Sequence, residues 1–183
     1  MRSNRIRLAA AMLGLTAAIG GCTMLPGHRA QDPSTSPPPP VKTASNEDTM
    51  KQVIDPARQI VKAAGLTDVF GGFSFEACND QGEPPYRGRL EVSFAIPQGV
   101  EPQAYIRQIA DTMVQQGWVD GPPPGKRAFG TVIHTDEVMA ILSQHPVARE
   151  DGAIRVFGEC RNMVDHRDDP VKDVNVTDQL QNP

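Results

Sequence analysis

Three cysteines, four histidines and one acidic cluster are the side chains in this sequence whose chemistry could reach beyond packing. Cys22 stands directly behind Gly20-Gly21 at the end of an apolar run, while Cys78 and Cys160 lie far downstream. The segment Asp165-His166-Arg167-Asp168-Asp169 sets three carboxylates around an imidazole. Asp165, His166, Asp168 and Asp169 are therefore the candidates for holding a hard cation, with Glu159 as a further ligand. The segment lacks the regular oxygen spacing and turn glycine of a calcium loop. A solvated acidic tail is the expectation, and no metal site is assigned.

His134 falls within an expected strand and reads as a satisfied structural histidine, His145 precedes Pro146 in a turn, and His28 sits in a proline-rich stretch. No serine lies in GxSxG, no glycine-rich loop follows a strand, and no HExxH occurs. Glu76 and Glu91 occupy ordinary strand-surface positions. Catalysis needs a constellation and none is visible, so neither a catalytic residue nor a cofactor is assigned.

The surroundings of Cys22 say more. Residues 1–7, MRSNRIR, carry Arg2, Arg5 and Arg7 without an acidic residue, and residues 8–21 run uncharged. That run is shorter than the roughly 20 residues a membrane-spanning helix needs. A basic start, a short apolar stretch and a small-residue exit describe a secretory signal peptide. Ile19-Gly20-Gly21-Cys22 resembles a bacterial lipobox, which implies cleavage before Cys22 and a diacylglyceryl group on its sulfur. Long acyl chains contribute about 0.8 kcal/mol per buried CH₂, and more than one is needed for stable anchoring. Removing residues 1–21 leaves 15 basic and 22 acidic side chains, a net charge of −7. Such a body gains nothing from anionic lipid, and it lacks the basic stripe that nucleic acids require.

These segments need elements to position them. Residues 22–46 contain the run Pro37–Pro40 and almost no bulky apolar side chain, which reads as a flexible stalk. Residues 47–162 read as one α+β domain. Ser45 and Asp48 are spaced as a capping box. Met50, Val53, Ala57, Ile60, Val61 and Ala64 follow at helical spacing, interrupted by Pro56, which should kink the helix or move its start downstream. Gly65-Leu66 is a glycine-type helix end. A second helix runs from Pro102 through Tyr105, Ile106, Ile109, Met113 and Val114 to Gly117-Trp118. Strands are expected at 69–78, 87–96, 128–135, 137–144 and 153–160, with Asp151-Gly152 as a turn before the last. The sum is an antiparallel sheet of about five strands with two helices on one face. Residues 163–183 are acidic and poor in large apolar side chains, so an extended or disordered tail is expected.

With Cys22 acylated, two thiols remain in an oxidising compartment, each ending an expected strand. An intramolecular Cys78–Cys160 disulfide is the expectation. The alternative, a zinc or redox pair, lacks a CxxC and any second ligand at metal spacing.

At CNDQGEPPYRG (78–88), GWVDGPPPG (117–125), GECR (158–161) and the Asp165, His166, Asp168, Asp169 cluster, the chain resembles the mycobacterial LppJ lipoprotein family. That resemblance implies a membrane-anchored lipoprotein of unassigned activity, lipidated at the position of Cys22. It brings no catalytic residue. The loops 79–86 and 120–125 could share one binding edge. The functional expectation is a binding or interaction module on the extracytoplasmic face of the cell membrane, held by its lipid anchor. Its partner would be an envelope protein or a small hydrophobic ligand, with Phe70, Phe73, Phe75, Phe94, Met113 and Trp118 as candidate contacts, though these read better as core. A hydrophobic carrier and an envelope hydrolase or metal-dependent enzyme are the alternatives.

Overall fold

A computed structural model describes residues 42–182. The signal peptide, Cys22 and most of the expected stalk lie outside the described residues.

Helix α1 spans Asn46–Ala64 and opens as the sequence predicts. The Asp48 amide donates to Ser45 Oγ at 3.1 Å, and the Ser45 amide donates back to Asp48 Oδ2 at 3.3 Å. It ends at Gly65 in the left-handed region, with the Leu66 amide bonded to the Val61 carbonyl. Pro56 neither ends the helix nor delays its start. A proline within a helix costs about 3 kcal/mol, and the face buried through Val53, Ile54, Ala57, Ile60 and Val61 outweighs that loss.

Strands β1 (Phe70–Ala77) and β2 (Tyr86–Ala95) form the first antiparallel pair. Helix α2, Pro102–Gln115, follows with proline in its first turn, and Glu101 caps it by accepting from the Gln103 and Ala104 amides. Its buried side chains are Ile106, Ile109, Ala110 and Met113, whereas Val114, expected in this stripe, is exposed. Then come β3 (Val119–Asp120), β4 (Thr131–His134), β5 (Met139–Gln144), β6 (Asp151–Phe157), β7 (Val174–Asn175) and helix α3 (Thr177–Gln181).

The sheet therefore has seven strands and the described chain three helices, where five and two were expected. Its order is β3-β4-β5-β6-β2-β1-β7, every pair antiparallel. Alternation in β2 is complete: Tyr86, Gly88, Leu90, Val92 and Phe94 are buried, and the residues between them are not. The buried side faces the helices, α1 over β2 and β6, α2 over β4 and β5. Among the described residues no helix covers the other side.

Two expectations fail for identifiable reasons. Asp151-Gly152 is not a turn but the start of β6, paired with Ala95 and Phe94. A Cβ at Gly152 would sit 2.1 Å from Phe94 Cζ, so this glycine exists to seat an aromatic ring rather than to bend the chain. The acidic tail is not disordered either. It runs down the outside of β1, pairs there as β7, and closes with α3. Val176 and Leu180 enter the core at 1% and 0% exposure. Gly71 makes the space, since a Cβ there would lie 2.4 Å from Leu180 Cδ1. Arg58 Nε donates to the Gln179 carbonyl at 2.6 Å and Gln181 Nε2 to the Val69 carbonyl at 3.0 Å. Two apolar side chains, correctly placed, dock a segment whose average composition reads as unstructured.

Leu180→Ala should lower stability by about 2–5 kcal/mol, as for other enclosed leucines, measured by urea denaturation; a loss below ~0.5 kcal/mol would contradict the docked tail.

Candidate functional site

The helix-free face buries Val132 and Ile141 at its β4–β5 side, and the rest divides into two halves of different character. Towards the β1–β2 turn its charges neutralise one another. Glu76 pairs with Arg87 directly across the strands, Arg89 with both Glu76 and Glu91, and Arg87 lies 4.6 Å from the centre of the Phe157 ring. Such cross-strand pairs stabilise a sheet and keep an open face soluble.

Towards the other end the side chains shrink and a groove of about 660 Å³ opens. Register places Phe70, Ser93, Ala153 and Ser143 in one row across β1, β2, β6 and β5, with Gly72, Glu91 and Arg155 in the next. Asp173 borders the groove on one side, His145 and Pro146 on the other. Phe70 is 56% exposed. Among the described residues, the Ser93 and Ser143 hydroxyls, Arg155 and Asp173 make no side-chain hydrogen bond or ion pair. His145 Nδ1 accepts from the Val147 and Ala148 amides at 3.3 and 3.0 Å. In the neutral ring the proton therefore sits on Nε2, a donor.

A second cluster lies at the opposite end of the sheet, where three of the sequence motifs converge. Cys78 and Cys160 are joined, their Cα atoms 6.1 Å apart. Asn162, wholly buried, exchanges backbone hydrogen bonds with Tyr86 and bridges to Ala44. Its side chain reaches Asn46 Oδ1 at 2.8 Å and Thr49 Oγ1 at 3.3 Å. The last residues of the expected stalk, from Ala44 on, thus belong to the domain. His166 is 5% exposed and stacks on Phe75, ring centres 3.6 Å apart, with Tyr86 edge-on at 5.0 Å. Its Nδ1 bonds Asp169 Oδ2 at 2.7 Å, and Nε2 is buried without a partner.

The four acidic-segment residues are therefore not gathered around one point. Asp169 holds His166, while Asp165 is held by Arg167, whose Nη2 lies 2.6 Å from Oδ2. Asp168 is exposed. Glu159 is engaged by Gln52 and Arg161 at 3.0 Å each. Among the described residues no three His, Cys, Asp or Glu side chains are arranged to share a metal ion. His134 is half-buried, its Nδ1 donating to the Gly121 carbonyl at 2.8 Å. Of the aromatic and thioether candidates, Phe73, Phe94, Met113 and Trp118 are buried in the core, Phe75 is partly buried under His166, and Phe70 alone stands in the groove.

Loops 79–86 and 120–125 do not share an edge. The first joins β1 to β2 and the second leaves β3, at the far side of the sheet. Alternating strand direction also puts them at opposite ends. The groove itself escaped the sequence reading, because it depends on strand neighbours such as β2–β6 that are far apart in the chain.

Fold and site together define a disulfide-closed α+β domain with one helix-covered and one open sheet face. The chain belongs to the LppJ lipoprotein family: residues 45–179 match the family described as "Putative lipoprotein LppJ". Proteins of that description from two strains of Mycobacterium tuberculosis, CDC 1551 / Oshkosh and ATCC 25618 / H37Rv, are each 39% identical over 178 residues, covering 96% of this chain and 91% of theirs. The Mycobacterium bovis protein of the same name shows the same identity and coverage. No solved structure matches the chain. Among the described residues no helix is long and apolar enough to cross a membrane.

Two predictions follow from the disulfide end. A bridge spanning 82 residues should stabilise the domain by about 4 kcal/mol through its effect on the unfolded chain. The Cys78→Ser/Cys160→Ser double variant should show that loss in urea titration. Hydrogen bonds from the Arg167 side chain, and then its backbone, hold the Asp165 carboxyl well below its ordinary range. A carboxylate depressed in the folded state stabilises it above the unfolded value of about 3.9, and that contribution fades as pH falls below it. Asp165→Asn should therefore be less stable than wild type at neutral pH and lose less between about pH 5 and pH 2, read from urea midpoints.

Proposed function

We propose that this chain is a lipid-anchored envelope lipoprotein whose domain acts as a binding module, with the groove on the open sheet face as its ligand site. The observation that carries the reading is the juxtaposition in that groove of an exposed aromatic ring with unpaired polar and charged side chains over a floor of small residues. A ligand would supply the partners those groups lack.

The alternatives draw less support. A hydrophobic carrier needs an apolar cavity. In this domain the large apolar side chains, Phe73, Phe94, Ile106 and Met113 among them, meet one another in the core, and the groove is an open one that sets Glu91, Arg155 and Asp173 beside its apolar lining. A hydrolase needs an activated nucleophile. Ser143 and His145 both line the groove, yet the bonding of His145 Nδ1 leaves a proton on Nε2, where a base would need a lone pair. The anchor rests on Cys22 behind Ile19-Gly20-Gly21 and on the lipoprotein family. Tethering places the groove at the extracytoplasmic face of the cell membrane.

Cys22→Ala protein should move from the detergent phase to the aqueous phase in Triton X-114 partitioning; unchanged partitioning would remove the anchor. For the site, native mass spectrometry should compare wild type with Ala153→Trp, which fills the groove floor, both purified from their own membrane. A non-covalent adduct confined to wild type supports the reading. An adduct equally present on both, or absent from both, overturns it.

A further inference from the structure

Resting on the groove as a ligand site, we propose that it recognises an anionic saccharide, a short glycan bearing a carboxylate, with Phe70 as the stacking platform and Arg155 as the carboxylate receptor.

Sheet geometry excludes one familiar mode first. The floor strands β1, β2, β6 and β5 are hydrogen-bonded to one another throughout this region, so an extended peptide cannot add to them edge-to-edge through its backbone. Whatever lies here must bond to side chains. Those with a free polar group are Ser93, Ser143, the Nε2–H of His145, the Arg155 guanidinium and the Asp173 carboxylate, whereas Glu91 and Gln144 are already bonded to Arg89 and to the Arg149 carbonyl. Hydroxyls that both donate and accept suit a polyhydroxylated ligand better than an apolar one.

The aromatic ring comes next. Phe70 is more than half exposed at the groove wall, although the same sheet buries Phe73 and Phe94 completely. Sugar rings offer C–H faces that lie on such a surface, and a planar, rigid side chain loses little entropy in presenting it. The small residues Gly72 and Ala153 keep the floor low between Phe70 and the far wall. From β1 to β5 that floor spans three strand spacings, roughly 14 Å, enough for a short oligosaccharide.

Charge decides the last step. Every other arginine on this face, Arg87 and Arg89, is engaged by a glutamate, and Arg155 is not. An unpaired guanidinium presents the fork that carboxylates fit bidentately. Glu91, opposite Arg155 in register, is itself held by Arg89, and Asp173 stands at the far rim beyond β2 and β1, so the guanidinium fork is left to an incoming carboxylate.

The test is isothermal titration of the full-length, detergent-solubilised chain with aldotriouronic acid, a trisaccharide with one carboxylate, against neutral xylotriose and trialanine. The expected result is a Kd of about 1 mM or tighter for the acidic trisaccharide, at least about tenfold weaker binding of xylotriose, and a comparable loss in Arg155→Ala with partial recovery in Arg155→Lys. Phe70→Ala should weaken both saccharides alike. Equal binding of the two saccharides, or an indifferent Arg155→Ala, overturns the anionic assignment. Tighter binding of trialanine overturns the saccharide, and no binding of any probe overturns both parts. Binding that survives Ala153→Trp would instead sink the groove as the site, so the two failures are separable.

Discussion

The Cys78–Cys160 bond joins the ends of two strands that are not neighbours: β1 and β6 flank β2, and the bridge closes over the start of the strand between them. The end of the sheet depends on that clamp. Two residues further on, Asn162 takes up Tyr86 and Ala44, and from there the tail turns down along β1. A buried asparagine is costly unless its groups are bonded. Here its side chain meets Asn46, Thr49 and the Val164 amide, so the site is satisfied rather than strained. His166, seated on Phe75, fixes the next stretch. The acidic motif that reads as a candidate for metal chemistry is thus a fastening between tail and sheet.

This fastening sits against the helix-covered side of the sheet, on Phe75 and Tyr86, and leaves the open face to other uses. Helices cover one side because α1 and α2 each carry a single apolar stripe, and nothing else in the domain offers one long enough for the second side. The uncovered face is kept soluble where Glu76, Arg87, Arg89 and Glu91 compensate one another. Where that ladder stops, small residues and the unpaired Arg155 begin. A surface that alternates between neutralised and unneutralised charge in adjacent rows has a place on it, and that difference gives the groove its chemical identity.

Much of the scaffold was legible in the residues. Period-two alternation in 87–96 located β2 to within a residue, and Ser45, Asp48 and Gly65 bounded the first helix. The Cys78–Cys160 disulfide was expected from two thiols, each ending a strand, and the structure joins them. What was not legible shares one cause: it rests on contacts between residues distant in sequence. Gly152 looks like turn chemistry until Phe94 is placed over it. Val176 and Leu180 look like stray apolar residues in an acidic tail until Gly71 opens a space for them. The same holds for Phe70, whose neighbours read as core, and for the site as a whole, whose rows combine four strands drawn from 70 to 155. Local pattern names elements; pairing between them makes a surface.

The docking of α3 against α1 and β1 has a consequence for how the domain assembles. Gly71 meets Thr177 across 106 residues and Arg58 meets Gln179 across 121. Closing loops that long sacrifices chain entropy before any contact repays it, which slows the search for the native topology. As the domain folds, the first helix and hairpin must wait, with the seat for Leu180 vacant and the edge of β1 unpaired, until the last residues of the chain arrive. An unpaired strand edge is an invitation to association. Pairing of β7 closes that edge, so the tail is a guard against misassembly as well as a filler of the core.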